Sequence, residues 1–337
     1  MKRFACAVAL WVGLTGVSPP APVNTALITG ETLPAKLSEF GLLINARTGN
    51  SGVRPYTLNT PLFSDYALKY RFAYVPSGTR VTWRDSGMLD FPVGSVLVKS
   101  FGYPADMRKP EENVRIIETR LLIHRASGWV ALPYVWDADG KDATLKRAGQ
   151  RMDVNWTHTD GKPRSISYAV PNVNQCKGCH DAGGVLTPIG PKARNLNNGV
   201  QLQNWVSAGL LDQLPKGASA VPRFDDMKAP IDARARAYLD INCGHCHSRA
   251  GPANTSGLWL DWEQPAGVNL GLGKRPTAAG RGSGDREFAI APGHPDQSYL
   301  VYRMQSIDSG IAMPEISRNM VHDEGVALVS DWIRTLK

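Results

Sequence analysis

Two five-residue segments constrain this 337-residue chain more than anything else in it: Cys176-Lys177-Gly178-Cys179-His180 and Cys243-Gly244-His245-Cys246-His247. Each reads C-x-x-C-H, and together they hold four of the five cysteines. Two thiols one helical turn apart can form thioethers to the two vinyl groups of one porphyrin. The histidine that follows is then placed to put an imidazole nitrogen on the iron. Other uses of paired cysteines fit less well. A zinc ribbon brings its pairs together over roughly 15–20 residues, whereas 63 residues lie between Cys179 and Cys243. A thioredoxin-like pair needs a βαβ context, which the residues around Cys176 do not offer. Two structural disulfides suit an exported chain but do not explain a histidine directly after both pairs. The pattern predicts two covalent haem c groups, attached at Cys176, Cys179, Cys243 and Cys246, with His180 and His247 as axial ligands. His245, at a free position of the second motif, reads as an exposed histidine at the edge of its group.

The N-terminus indicates where such chemistry takes place. Met1-Lys2-Arg3 precedes a 14-residue apolar run from Phe4 to Val17, closed by Ser18-Pro19-Pro20. That run is too short to cross a bilayer and fits the centre of an export signal. Residues 1–22 are therefore predicted to send the chain to the periplasm, with no transmembrane span beyond the signal. Cys6 stands at the start of the run instead of its end, so it does not read as a lipid-bearing cysteine. A chain with 42% hydrophobic and 20% charged residues has the means to bury a core, and its length suits two or three domains. Losing Lys2 and Arg3 takes the formal charge from +8 to +6, and the 38 basic residues are dispersed along the chain. That distribution fits a solvated surface or docking to an acidic redox protein, and excludes a dedicated nucleic-acid stripe.

Ahead of Cys243, the apolar residues Ile231, Ala235 and Tyr238 follow helical spacing, so the second motif continues an amphipathic helix. Near the C-terminus Asp323 is suited to cap a helix with Val326, Val329, Ile333 and Leu336 on one stripe. A helix entering C-x-x-C-H and a terminal helix of this kind resemble a class I cytochrome c over about residues 230–337. The resemblance implies a methionine ligand between the helices. Met313, in Ile311-Ala312-Met313-Pro314, lies 66 residues past His247 and is the first choice, with Met320 and Met304 as alternatives. His294 and His322 read as structural.

The first motif has less around it. A helix is predicted over 200–214, with Leu202, Trp205, Val206, Leu210 and Leu214 apolar. The distal side of its iron is not decided. Met227, 47 residues past His180, is the one methionine between the motifs; His158, Met152 and a vacant position stay open. Residues 27–170 read as mostly β. Leu121–Arg125 and Trp129–Trp136 form one hairpin, Met152–His158 and Ser165–Val170 a second around Asp160-Gly161. Thr79–Trp83 and Ser95–Phe101 are further strands, with Pro92-Val93-Gly94 as a turn. Short strands with regular turns suggest a β-sandwich. His124 reads as a core histidine, and Trp83, Trp129, Trp136 and Trp156 as core packing. No nucleophile–base arrangement is visible. The Gly-rich stretch 267–284 is no phosphate loop, because Val268 stands where the first glycine is needed and Arg275 where Ser or Thr is.

The expected architecture is thus a β-sandwich-like domain followed by two small α-helical cytochrome c modules. The boundaries are 1–22 for the signal, 27–170 for the β-rich domain, 171–228 for the first haem module and 229–337 for the second. The segments Pro61-Leu62-Phe63-Ser64-Asp65-Tyr66-Ala67, Phe91-Pro92-Val93-Gly94, Pro188-Ile189-Gly190-Pro191 and Ala235-Arg236-Ala237-Tyr238-Leu239 resemble those of an exported bacterial family of dihaem c-type cytochromes. In that family a β-rich region precedes two closely spaced haem motifs. The resemblance implies single-electron relay between redox proteins such as a periplasmic dehydrogenase and a terminal acceptor, with no catalytic residues. Arg234, Arg236, Arg249 and Lys274 are expected to ring the second haem edge and steer an acidic partner. The alternative is a dihaem peroxidase-like oxidoreductase whose first haem is open.

Overall fold

The computed structural model describes residues 21–315 and 318–337. Residues 1–20 of the expected export signal, Cys6 included, lie outside the described residues. Among the described residues no helix is long and apolar enough to cross a membrane.

The first part of the chain is β-rich. Helix α1 (Thr25–Thr29) and a two-stranded ladder, β1 (Leu43–Asn45) with β2 (Thr48–Gly49), lead into a six-stranded antiparallel sheet. Its strands run in sequence order: β3 (Val53–Pro55), β4 (Leu68–Tyr74), β5 (Val96–Pro104), β6 (Val114–Arg125), β7 (Gly128–Trp136) and β8 (Ala143–Leu145). The hairpin β9 (Gln150–Thr157)–β10 (Pro163–Val170) stands apart from that sheet. Gly161 supplies the positive φ (78°) that its turn needs. Thr79–Trp83 forms only isolated bridges, Val81 to Leu211 and Thr82 to Asp90. The architecture is therefore one sheet with a ribbon against it, in place of the two full sheets of a sandwich.

Alternation along the strands gives the sheet two faces. On one, Phe72, Val98, Leu121 and Leu132 pack with Ile28, Leu37, Phe40 and Leu42 from the preceding segment. The other face carries three rows of residues, each row aligned across β4, β5, β6 and β7. Ala73, Leu97, Leu122 and Ala131 form the first, and Lys69, Phe101, Glu118 and Val135 the third. Between them lies Arg71, Lys99, Arg120 and Pro133. The first row is covered by the segment after the first motif. The third packs against the β9–β10 hairpin through Phe101, Val135, Val154, Trp156 and Tyr168. The central row of cations has no such cover.

Residues 171–228 contribute α2 (Val173–His180), the small ladder β11 (Asp181–Ala182)–β12 (Val185–Leu186), α3 (Ala193–Leu196) and α4 (Gln201–Ser207). The helix expected over 200–214 stops at Ser207, and Gly209 at φ 70° turns the chain away. Leu196, Leu202, Trp205 and Leu211 share one core with Ala73, Val81, Trp83 and Leu97. The expected first module is thus a layer on the sheet and has no core of its own.

The last third has its own core, built by α5 (Ile231–Asn242), α6 (Tyr299–Gln305) and α7 (Asp323–Thr335) with Leu258, Leu260, Leu270 and Ile290. The N-cap of α7 is His322; Asp323 and Glu324 occupy the first turn, where negative charge suits the helix dipole. Helices α5 and α7 meet so closely that a Cβ on Gly325 would lie 2.3–2.7 Å from the Tyr238 ring. Trp332 Nε1 donates to Asp232 Oδ1 at 2.8 Å across the same pair of helices. Gly325→Val is expected to push these helices apart and cost about 1–3 kcal/mol, the usual range for overpacking a core. Chemical denaturation of the holoprotein measures this, and an unchanged midpoint would count against the close crossing.

Candidate functional site

Helix α2 carries the first motif. Asn172 caps it reciprocally with Gln175, the Asn172 side chain accepting from the Gln175 N–H at 2.8 Å. His180, at its last position, donates from Nδ1 to the Thr187 carbonyl at 2.9 Å. That bond sets the tautomer and leaves Nε2 as the nitrogen with a free lone pair. Burial pushes the imidazole down to about 3, helped by the charge of Lys99, so the ring is neutral at ordinary pH.

Cys176, Cys179 and His180 face a cavity of about 940 Å³, part of it open to solvent. Its walls are Pro188–Pro191 and the sheet face with the cation row. Four cations line it: Lys69, Arg71, Lys99 and Arg120. Arg120 pairs with Glu118, a fully buried carboxylate that also accepts from the Tyr168 hydroxyl at 2.8 Å. Lys69, Arg71 and Lys99 form no salt bridge among the described residues; the Lys99 Nζ lies 5.0 Å from the Phe101 ring centroid. Burial and then the neighbouring guanidinium groups push Lys99 down to about 7.

Cys243 is the C-cap of α5 and lines a second cavity, partly open to solvent, with Met304, Met313, Tyr238 and His322. Met313 is held in place by its N–H, which donates to the Arg303 carbonyl at 3.0 Å. His247 borders this region without lining the cavity. Its Nδ1 faces Ser256 Oγ (3.4 Å), a Leu258 backbone group lies against the ring, and burial pushes the imidazole down to about 4. Burial also pushes the Cys243 and Cys246 thiols up to about 12.

The two motifs touch. Cys246 Sγ lies 4.0 Å from the Gly178 carbonyl, and Cys179 and Leu62 line both cavities. Leu62 belongs to the segment 61–67, which wedges the β part against the last third of the chain. Phe63 stacks on His322 (4.2 Å, 12°), and the buried Asp65 accepts from the Asn319 and Met320 N–H groups at 2.8 and 2.9 Å. A second tie is the buried Asp240 of α5, which accepts from Lys192 at 2.7 Å, Arg194 at 3.1 Å and the Trp262 N–H at 3.0 Å.

Several expected residues lie elsewhere. Met227 sits in a turn, 79% exposed, and does not line the first cavity, so it is not placed to reach an iron held by His180. His158 is buried against Tyr66 and Trp156, and Met320 packs against the β9–β10 core. His245 is half-buried instead of exposed: it lines the second cavity, and its Nδ1 is enclosed without a partner among the described residues. Arg234 and Arg236 do not ring an exposed edge, because both are buried with their guanidinium groups on backbone carbonyls. Arg249 lies over the Trp259 ring at 3.8 Å. His124, as expected, is a core residue, stacked on Trp129 and bonded to the Phe91 carbonyl.

The residues suit a pair of haem groups on two counts. Each motif histidine has its Nδ1 engaged. Each motif contributes residues to a largely apolar cavity, Cys176, Cys179 and His180 to the first and Cys243 and His245 to the second. No family model, curated protein or solved structure matches the chain.

The sequence reading missed the cation row and the Asp240 cluster. Lys69 and Arg71, two residues apart in a strand with Ala73, were a visible signal for the first. Asp240→Ala removes the buried one of two carboxylates on Arg194, whose side chain is 3% exposed and which keeps the half-exposed Glu263. Losing a buried partner costs up to about 3–5 kcal/mol; with Glu263 still in place the loss should be at the lower end of that range and appear in denaturation curves. A cost below about 1 kcal/mol, typical of a surface pair, would show that the cluster is solvated.

Proposed function

We propose that this chain is a periplasmic dihaem c-type cytochrome that relays single electrons between redox proteins. The observation that carries the reading is the pairing of two C-x-x-C-H motifs with two adjoining cavities that share a wall. Cys176 and Cys179 hold the first haem c and Cys243 and Cys246 the second, with His180 and His247 as their proximal ligands. Each bound group supplies a reversible ferric–ferrous couple. Met313 provides the thioether that completes the second iron, an arrangement associated with raised potential.

The chain's own contribution is position and dryness. Thr187 orients His180, Leu258 and Ser256 orient His247, and the Arg303 carbonyl holds the Met313 loop. Cys179 and Leu62, common to both cavities, keep the two sites next to each other. The β part acts as the wall of the first site, which gives it a purpose other than docking alone. The partners are other redox proteins, and a large charge-steering ring is not part of the design, since Arg234 and Arg236 are already occupied.

One feature favours the peroxidase-like alternative enough to be tested beside the relay: the first cavity holds no methionine and no second histidine. Expression with haem-attachment machinery should give two haems per chain by intact mass. Cys243→Ala with Cys246→Ala should remove one of them and Met313→Ala the near-infrared band of methionine ligation. A chain that attaches no haem would end the cytochrome reading. Turnover of hydrogen peroxide by the holoprotein would replace relay with catalysis.

A further inference from the structure

The first cavity has no counterpart of Met313. Of the side chains that line it, four besides the motif's own residues carry an atom able to bind iron: Tyr56, Lys69, Lys99 and Gln175. Gln175 lies on α2 itself, and its Oε1 accepts from the Asn172 N–H at 2.9 Å, closing the helix cap. Tyr56 belongs to the apolar core at the covered end of the cavity, edge-on to Trp205 at 6.2 Å. Lys69 stands in the third row, and its Nζ donates to the Ala67 carbonyl at 3.3 Å. Lys99 is in the central row on β5, an inner strand of the sheet, and lines the same cavity as His180.

The row itself adds a second argument. Lys99 is directly opposite Arg71 on one neighbouring strand and Arg120 on the other. Like charges so placed destabilise a sheet, and Glu118 pairs with Arg120 alone. Arginine does not give up its proton in a protein, whereas a lysine amine does. The middle position of the row is therefore the one place where the repulsion can be relieved by losing a charge.

We propose that Lys99 is the distal ligand of the first haem iron, an inference that rests on the haem reading above. The ammonium gives one proton to water, and the lone pair of the amine fills the sixth position of the iron; no electron is exchanged. Arg71 and Arg120 then remain as cations around a cofactor that brings two carboxylates of its own.

The test uses the full holoprotein, with intact mass recorded first and ferric EPR and absorption spectra second. Fewer than two haems would count against the haem reading before any ligand is in question. With two haems present, the wild type should show two low-spin irons, only one with the methionine band. Lys99→Ala and Lys99→Arg should each turn one iron high-spin and open it to added cyanide. Lys99→Met should restore low spin and add a second methionine band, which separates ligation from a failure to fold. Lys69→Ala, which alters the cavity wall but not the proposed ligand, should leave both irons low-spin. A wild type with one high-spin iron, a Lys99→Arg variant with the native spectrum, or a Lys69→Ala variant that loses one low-spin signal would each overturn the assignment.

Discussion

An eight-residue helix does not hold its shape in water without packing partners, and the helix that carries the first C-x-x-C-H, Val173–His180, is that long. Its reciprocal Asn172–Gln175 cap closes one end, but only Cys176 among its residues is buried. The rest of its support comes from the sheet beneath it and from the loop at Thr187–Pro191. The β part cannot then be an appendage to a pair of cytochrome modules. One face of the sheet is the floor of the first site, and the segment 61–67 at the start of β4 walls the second. Removing the sheet would leave the first motif with neither a core nor a cavity.

How much of this was legible follows from how local each signal is. The C-x-x-C-H pairs carry their spacing within five residues, yet only the first lies on a helix; α5 stops at Asn242, so the second motif, expected to continue it, starts at the C-cap and runs on in turns. Helices α5 and α7 were readable from local spacing: Tyr238, Val326, Val329 and Ile333 repeat at helical intervals and are buried. The hairpins at 126–128 and 160–161 announce themselves through glycine. The extent of α4 was overread because Leu210 and Leu214 keep a helical rhythm past Gly209, where the backbone leaves it. Met227 was chosen by elimination along the sequence, and nothing local revealed that its turn faces solvent.

What the sequence withheld is registry between distant strands. Lys69, Arg71, Lys99 and Arg120 are ordinary charged residues when read one at a time, and Arg71 and Lys99 are 28 positions apart. Only the pairing of β4 with β5 and of β5 with β6 puts three of them in a line. The same holds for Asp65 and Asp240, whose partners Asn319 and Arg194 lie far along the chain. Sequence periodicity reports which face of a strand is buried; it does not report which residue of the next strand stands opposite.

The two sites are consequently built on opposite electrostatic principles. The second is a largely apolar slot, closed by two methionines and by aromatic rings that continue the helical core of α5, α6 and α7. The first is cut into a sheet whose apolar ends are covered and whose middle row is cationic, with one buried carboxylate against four cations. Such an excess of charge is unfavourable in an empty, partly enclosed cavity, because buried cations without partners lose their hydration and gain little in return. It becomes favourable when the cavity receives a group that brings carboxylates and, on the inference drawn from the row, accepts a neutral amine. On the proposed haem reading, that cost is the imprint of the ligand the cavity takes. The ties that hold the wall in place, Asp65 on the 319–320 loop and Asp240 on Lys192 and Arg194, give that imprint a fixed relation to the neighbouring site. The proposed relay between adjoining centres would depend on that fixed relation, more than on any single contact.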